Sequence, residues 1–140
     1  MEESLKRLRE AFGLADTDPD RCSSLTLAYI GDAVFEVIVR YVVICRYKQP
    51  VGKLHTLSSH IVCAEAQSEI VSVIEPVLTE HEMAVYRRGR NAKSHTAAKN
   101  ASVTEYRRAT GFEALIGYLF LKGDHERLIE LCEKGIESGK

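Results

Sequence analysis

Residues 25–45 read LTLAYIGDAVFEVIVRYVVIC, an apolar run broken only by Asp32, Glu36 and Arg40. At about 100° per residue, Leu27, Ile30, Val34, Val37 and Tyr41 share one side of a helix, and Ala28, Phe35, Val39 and Val43 gather on another. Apolar groups then cover most of the circumference, the pattern of a central, buried helix around which the remaining chain packs. Ser23 or Ser24 can cap its start, and Gln49, Pro50 and Gly52 stop it after about Tyr47. The run is long enough to span a bilayer, but three charges in one strip suit a core helix better.

Those charges stand at i, i+4 and i+8 and admit two readings. Glu36 and Arg40 are oriented as an ordinary helical ion pair, which would leave Asp32 at a solvated edge. Alternatively, Asp32 is a carboxylate held in apolar surroundings for chemistry, where a cation must balance it.

Helical periodicity continues on both sides. Residues 1–13 form a short amphipathic pattern with Leu5, Leu8 and Phe12 on one side, broken at 16–20. A single helix is expected over 53–74, apolar at Leu54, Leu57, Ile61, Ala64, Ile70 and Val73, and Pro76 closes it or begins the next turn. Thr79, Glu80 and Glu82 introduce a helix through Met83 and Val85 that turns basic at Arg87; 89–100, GRNAKSHTAAKN, has no apolar period and reads as a loop. Two further helices are expected at 102–121 and 124–137, separated by Lys122 and Gly123. With 140 residues, 45% hydrophobic content and few alternating β-branched runs, the expectation is one all-α domain over 1–140 without repeat or linker.

Cys22, Cys45, Cys63 and Cys132 form no C-x-x-C pair and no signal sequence precedes them, so they read as reduced thiols of a cytoplasmic protein. His55, His60, His81, His95 and His125 form no zinc-binding pattern. The net charge of −1 hides a segregation: 86–108 holds seven basic residues against the single acid Glu105, leaving the remainder at −7. Such separation suits an anionic partner on one face. Arg87, Arg88, Arg90 and Lys93 alternate with small and polar residues, as contacts to a phosphate backbone do, and no aromatic residue lies between Arg87 and Val103 for base stacking. Double-stranded RNA, recognised by shape, fits better than single strands, with a merely solvated charge run as the plain alternative.

A second lone carboxylate stands in 109–121, ATGFEALIGYLFL, where Glu113 is the only charge and Gly117 follows on the same face. Gly117, and Gly31 beside Asp32, can let two helices approach closely and bring both acids to one crossing. Oxygen-only ligands, few in number, suit Mg²⁺, which keeps several waters and is completed by substrate phosphates. In the alternative, Glu113 pairs with Arg107 or Arg108.

Taken together, LAYIGDAV at 27–34 and FEALIG at 112–117 resemble the two signatures of the ribonuclease III family, in the family's order and spacing, and the likeness extends over about 24–137. RRGRNAKS, KNAS and EYRRATGFEALIGYLFL resemble a short bacterial form of that family that lacks the double-stranded-RNA-binding domain. The resemblance implies a homodimeric, all-α ribonuclease III endonuclease-domain bundle. It also implies Mg²⁺-dependent cleavage of double-stranded RNA, with Mn²⁺ as a substitute, and maturation of the 23S ribosomal RNA precursor, with a ribosomal protein as a further partner. Asp32 matches the signature aspartate and Glu113 the second-motif glutamate, as catalytic metal ligands. Ala28 and Thr110 stand where the family usually has two further acids, which favours one Mg²⁺ with more water ligands over two. In the absence of the RNA-binding domain, Arg87, Arg88, Arg90, Asn91, Lys93, Lys99 and Asn100 are expected to grip RNA, and the central helix and 53–74 are candidates for the dimer face. A non-catalytic, dimeric RNA-binding or ribosome-assembly factor of the same fold is the alternative function.

Overall fold

The computed structural model describes residues 1–93 and 102–138. Among them the chain forms seven α-helices and no strand: α1 (Glu2–Phe12), α2 (Ser24–Arg46), α3 (Val51–Val62), α4 (Ala64–Ile74), α5 (Glu80–Asn91), α6 (Val103–Lys122) and α7 (His125–Glu137). Local chemistry fixes several ends. The Ser23 hydroxyl accepts from the Thr26 amide to start α2, and capping boxes Thr79/Glu82 and Ser102/Glu105 start α5 and α6. Gly13 and Gly123, at φ 63° and 85°, close α1 and α6 in the left-handed conformation that glycine adopts without a Cβ penalty.

The centre of the molecule is α6. From Ala109 to Leu119 every residue but Glu113 is buried, with α2, α4 and α5 laid around it. On the α2 side the helices touch backbone to backbone: a Cβ added to Gly31 would lie 1.8 Å from the Glu113 carbonyl oxygen, and one added to Gly117 would lie 1.9 Å from that of Leu27. Just beyond this contact Phe35 meets Phe112 edge to face, centroids 5.0 Å apart. On the α5 side the device recurs, since a Cβ on Gly89 would come within 2.7 Å of Ala114 Cβ and one on Gly111 within 2.8 Å of the Tyr86 ring. Across the top, Arg127 of α7 donates to both carboxylate oxygens of buried Glu82, each at 2.9 Å, and to the Val77 carbonyl. Hydrogen bonding to Arg127 holds Glu82 below the usual carboxylate range.

Three expectations need correction. First, α2 is buried on one side only: Leu27, Ala28, Val34, Phe35, Val39 and Val43 face the core, whereas Tyr29, Val37, Tyr41 and Ile44 are exposed. Second, 53–74 is two helices. Cys63 is extended (φ −66°, ψ 159°), and the Gln67 side chain donates to the Val62 carbonyl at 2.9 Å, so the end of α3 is capped by a side chain of α4. Third, α5 continues through Gly89 to Asn91, so Arg87, Arg88, Arg90 and Asn91 are helical; Gly89 serves the close approach to α6 and does not begin a loop.

The glycine contacts set a stability test. Gly31→Ala or Gly117→Ala is expected to cost at least about 3 kcal/mol in urea unfolding, since backbone must move to admit each methyl. Gly52→Ala, whose Cβ meets nothing within 4 Å in the first turn of α3, is expected to change stability by no more than about 1 kcal/mol, upward.

Candidate active site

The glycine crossing of α2 and α6 brings Asp32 and Glu113 together. Gly31 rests on the backbone of Glu113, so the side chain that follows Gly31 is set beside the one leaving Glu113. Asp32 is exposed and Glu113 half-buried, and the charges of Asp32 and, more weakly, Glu36 both bear on Glu113. Burial, then the charge of Asp32 and the hydrogen bond to it, push Glu113 up to about 8. A hydrogen bond from Gln67 Nε2, 3.4 Å from Glu113 Oε2, acts in the opposite direction. Neither Arg107 nor Arg108 neutralises the pair: Arg107 is exposed and Arg108 donates to Ser72 Oγ at 2.7 Å. Glu36 does form the ordinary helical ion pair with Arg40, at 3.1 Å.

Among the described residues no group of three or more His, Cys, Asp or Glu side chains has the arrangement of a metal cage. The donor set is nevertheless that of a hard cation that keeps most of its water, which needs only one or two carboxylates. Two neighbouring acids, one half-buried, are costly together in their ionised forms, a repulsion that a divalent cation would relieve. Ala28 and Thr110 add nothing: both are buried, and the Thr110 hydroxyl donates to the Tyr106 carbonyl one turn back.

The basic residues divide. Arg87, Arg88, Asn91 and Lys93 line an open groove with Ser23, Ser24 and Leu25 at the start of α2. Arg90 turns away, its guanidinium 5.7 Å from the Tyr86 ring centroid and its Nε on Asn91 Oδ1. Lys99 and Asn100 lie outside the described residues. Ser24 and Asp32 are eight residues apart on α2, so groove and carboxylate pair are about 12 Å apart along the axis.

Gln67 is a site neighbour that pattern reading missed. Its signal was present: Gln67, Ile70, Val71 and Ile74 form an i, i+3, i+4, i+7 stripe, all buried, with one polar member. No helix among the described residues is long and apolar enough to cross a membrane.

Comparison with known proteins supplies the context. Residues 25–124 match the Ribonuclease III domain model. The chain is 49% identical over 117 residues to a Clostridium tetani protein named Mini-ribonuclease 3, covering 83% of this chain and 78% of that one. It is 50% identical over 109 residues to the Symbiobacterium thermophilum protein of the same name, covering 78% and 84%. A crystal structure of a Fusobacterium nucleatum protein superimposes with a TM-score of 0.79 at 28% identity, covering 89% of this chain and all of that one.

The carboxylate pair makes stability depend on pH in a definite direction. Glu113 holds its proton up to about 8 in the folded chain, against 4.5 for an ordinary glutamate. Its contribution is therefore fully present below 4.5 and lost as pH rises through about 8. The protein is expected to show a Tm that falls between about pH 5 and about pH 9, with a flatter profile for Glu113→Gln. A wild-type profile no steeper than that of Glu113→Gln would remove the electrostatic penalty.

Proposed function

Because this chain belongs to the ribonuclease III family and is an endoribonuclease, we propose that it cleaves double-stranded RNA at the Asp32–Glu113 pair in the presence of Mg²⁺, or of Mn²⁺ in its place. The observation that carries the reading is the meeting of two acids from different helices at a glycine-enforced crossing. Asp32 and Glu113 would hold the cation, which when bound polarises the scissile phosphate and acidifies water. Glu113 must surrender its proton for that, so cation affinity rises with pH toward and through about 8. Water adds to phosphorus, the 3′ oxygen departs as a hydroxyl, and the new ends are 5′-phosphate and 3′-hydroxyl.

Binding falls to the groove. Arg87, Arg88 and Lys93 supply positive charge, and Asn91 and Ser24 supply polar contacts, about 12 Å along α2 from the acids, so one stretch of duplex reaches both. Lys99 and Asn100 extend the grip in this reading, whereas Arg90, stacked on Tyr86, acts mainly by holding the end of α5. The exposed apolar side of α2, Tyr29, Val37, Tyr41 and Ile44, is the face of a homodimer, which sets two cutting sites against one duplex. The substrate is the 23S ribosomal RNA precursor in the cytoplasm, presented with a ribosomal protein.

Cleavage of an end-labelled duplex at low salt tests the whole reading. Wild type with Mg²⁺ is expected to leave 5′-phosphates, while Asp32→Asn and chelated wild type bind without cutting. Binding without cutting by wild type itself would make the protein a non-catalytic RNA-binding relative. Arg87→Ala with Arg88→Ala is expected to weaken binding and to lower the log–log salt slope by about 0.7 to 0.9 for each phosphate that the variant no longer neutralises; a salt-insensitive complex would sink the groove assignment. Light scattering should give twice the monomer mass for wild type and the monomer mass for Val37→Lys with Tyr41→Lys.

A further inference from the structure

Gln67 is 2% exposed, and its carboxamide is only half used. Nε2 donates to the Val62 carbonyl at 2.9 Å and faces Glu113 Oε2 at 3.4 Å, whereas Oε1 is buried with no hydrogen-bond partner among the described residues. Rotating the amide by 180° does not resolve this. It would set Oε1 against the Val62 carbonyl, acceptor on acceptor, and forfeit the cap of α3, so that carbonyl fixes the orientation.

A buried acceptor without a donor costs stability, and at this position an aliphatic side chain would complete the stripe with Ile70, Val71 and Ile74. A polar group there calls for a partner that the described residues do not supply. The partner must donate, must be small, and must sit next to the carboxamide that touches Glu113. Water meets all three conditions. A cation held by only two carboxylates keeps several waters, and their outward hydrogens need acceptors. With Ala28 and Thr110 contributing none, Gln67 Oε1 is the unpartnered buried acceptor beside the pair among the described residues.

The geometry points to Gln67 as a positioning residue of the cation site: Nε2 orients the Glu113 carboxylate, and Oε1 accepts a hydrogen bond from a hydration water of the cation that Asp32 and Glu113 hold. This rests on the proposed reading of that pair as a metal site. It also gives the break between α3 and α4 a purpose, because the same Nε2 that caps α3 locks the amide with Oε1 free.

Mn²⁺ titration of the RNA-free, full-length protein, followed by calorimetry and by the electron paramagnetic resonance of the free ion, tests it without reference to turnover. Gln67→Met, similar in size but without the acceptor, is expected to weaken Mn²⁺ binding by about 10-fold to 100-fold, the usual effect of losing an outer-shell partner. Gln67→Glu, which keeps an acceptor, is expected to bind at least as tightly as wild type. Unchanged affinity in Gln67→Met, or equal loss in Gln67→Glu, overturns the role and leaves Gln67 as the cap of α3. Asp32→Asn separates the two levels: if it binds Mn²⁺ as wild type does, the metal site fails and this inference with it; if it alone loses binding, only the role of Gln67 fails. Should Gln67→Met not fold, anomalous diffraction from Mn²⁺-soaked wild-type crystals decides directly. A water between Gln67 Oε1 and the ion supports the role, and a protein donor on Oε1 overturns it.

Discussion

The structure depends on one contact in which no side chain takes part. Gly31 lies on the carbonyl of Glu113 and Gly117 on the carbonyl of Leu27, so α2 and α6 approach until their backbones meet. Side chains of any size would separate the axes and take Asp32 away from Glu113. The interval of four residues between Leu27 and Gly31, and again between Glu113 and Gly117, puts each glycine one turn from the carbonyl that the opposite glycine covers. The site is thus built into the packing, and α6 can be clasped by α2 on one side and by α5, through Gly89 and Gly111, on the other.

Two acids in this small core receive opposite treatment. Glu82 meets a bidentate arginine and a capping threonine, both carboxylate oxygens are engaged, and its carboxyl is held below its ordinary range. Glu113 meets another acid and one weak amide donor, and its carboxyl is pushed to about 8. The first arrangement joins α5 to α7 with its charge fully matched. The second keeps Glu113 protonated up to about 8, the kind of perturbed acid that candidate functional sites concentrate.

How much of this was legible in the sequence depended on whether the signal was local. Lone carboxylates beside glycines in two apolar runs forecast the crossing, and the family likeness of GDA and FEALIG agreed with the match over 25–124. Ser23, one of two candidate caps for α2, and Thr79 with Glu82 at the start of α5 were likewise readable. The break at Cys63 was not, because no glycine or proline marks it and the cap comes from Gln67, four residues on. Gly89 looked like the beginning of a loop because its reason, a close approach to Ala114, lies on another helix. The bare side of α2 escaped notice because periodicity counts apolar residues without saying what covers them, and Tyr41, at 63% exposure, reads like core.

Placing the acids at the tightest crossing has a kinetic consequence. Amide hydrogens around Gly31 and Glu113 can reach solvent only when α2 and α6 separate, an opening that takes the central core with it. Their exchange should follow global unfolding, while the last turn of α5, with Arg87, Arg88 and Asn91 on an exposed face, frays locally on a shorter timescale. The backbone that carries the acids is then held as firmly as the fold permits, although the Asp32 side chain is exposed, and among the described residues the end of α5 is freer to adjust.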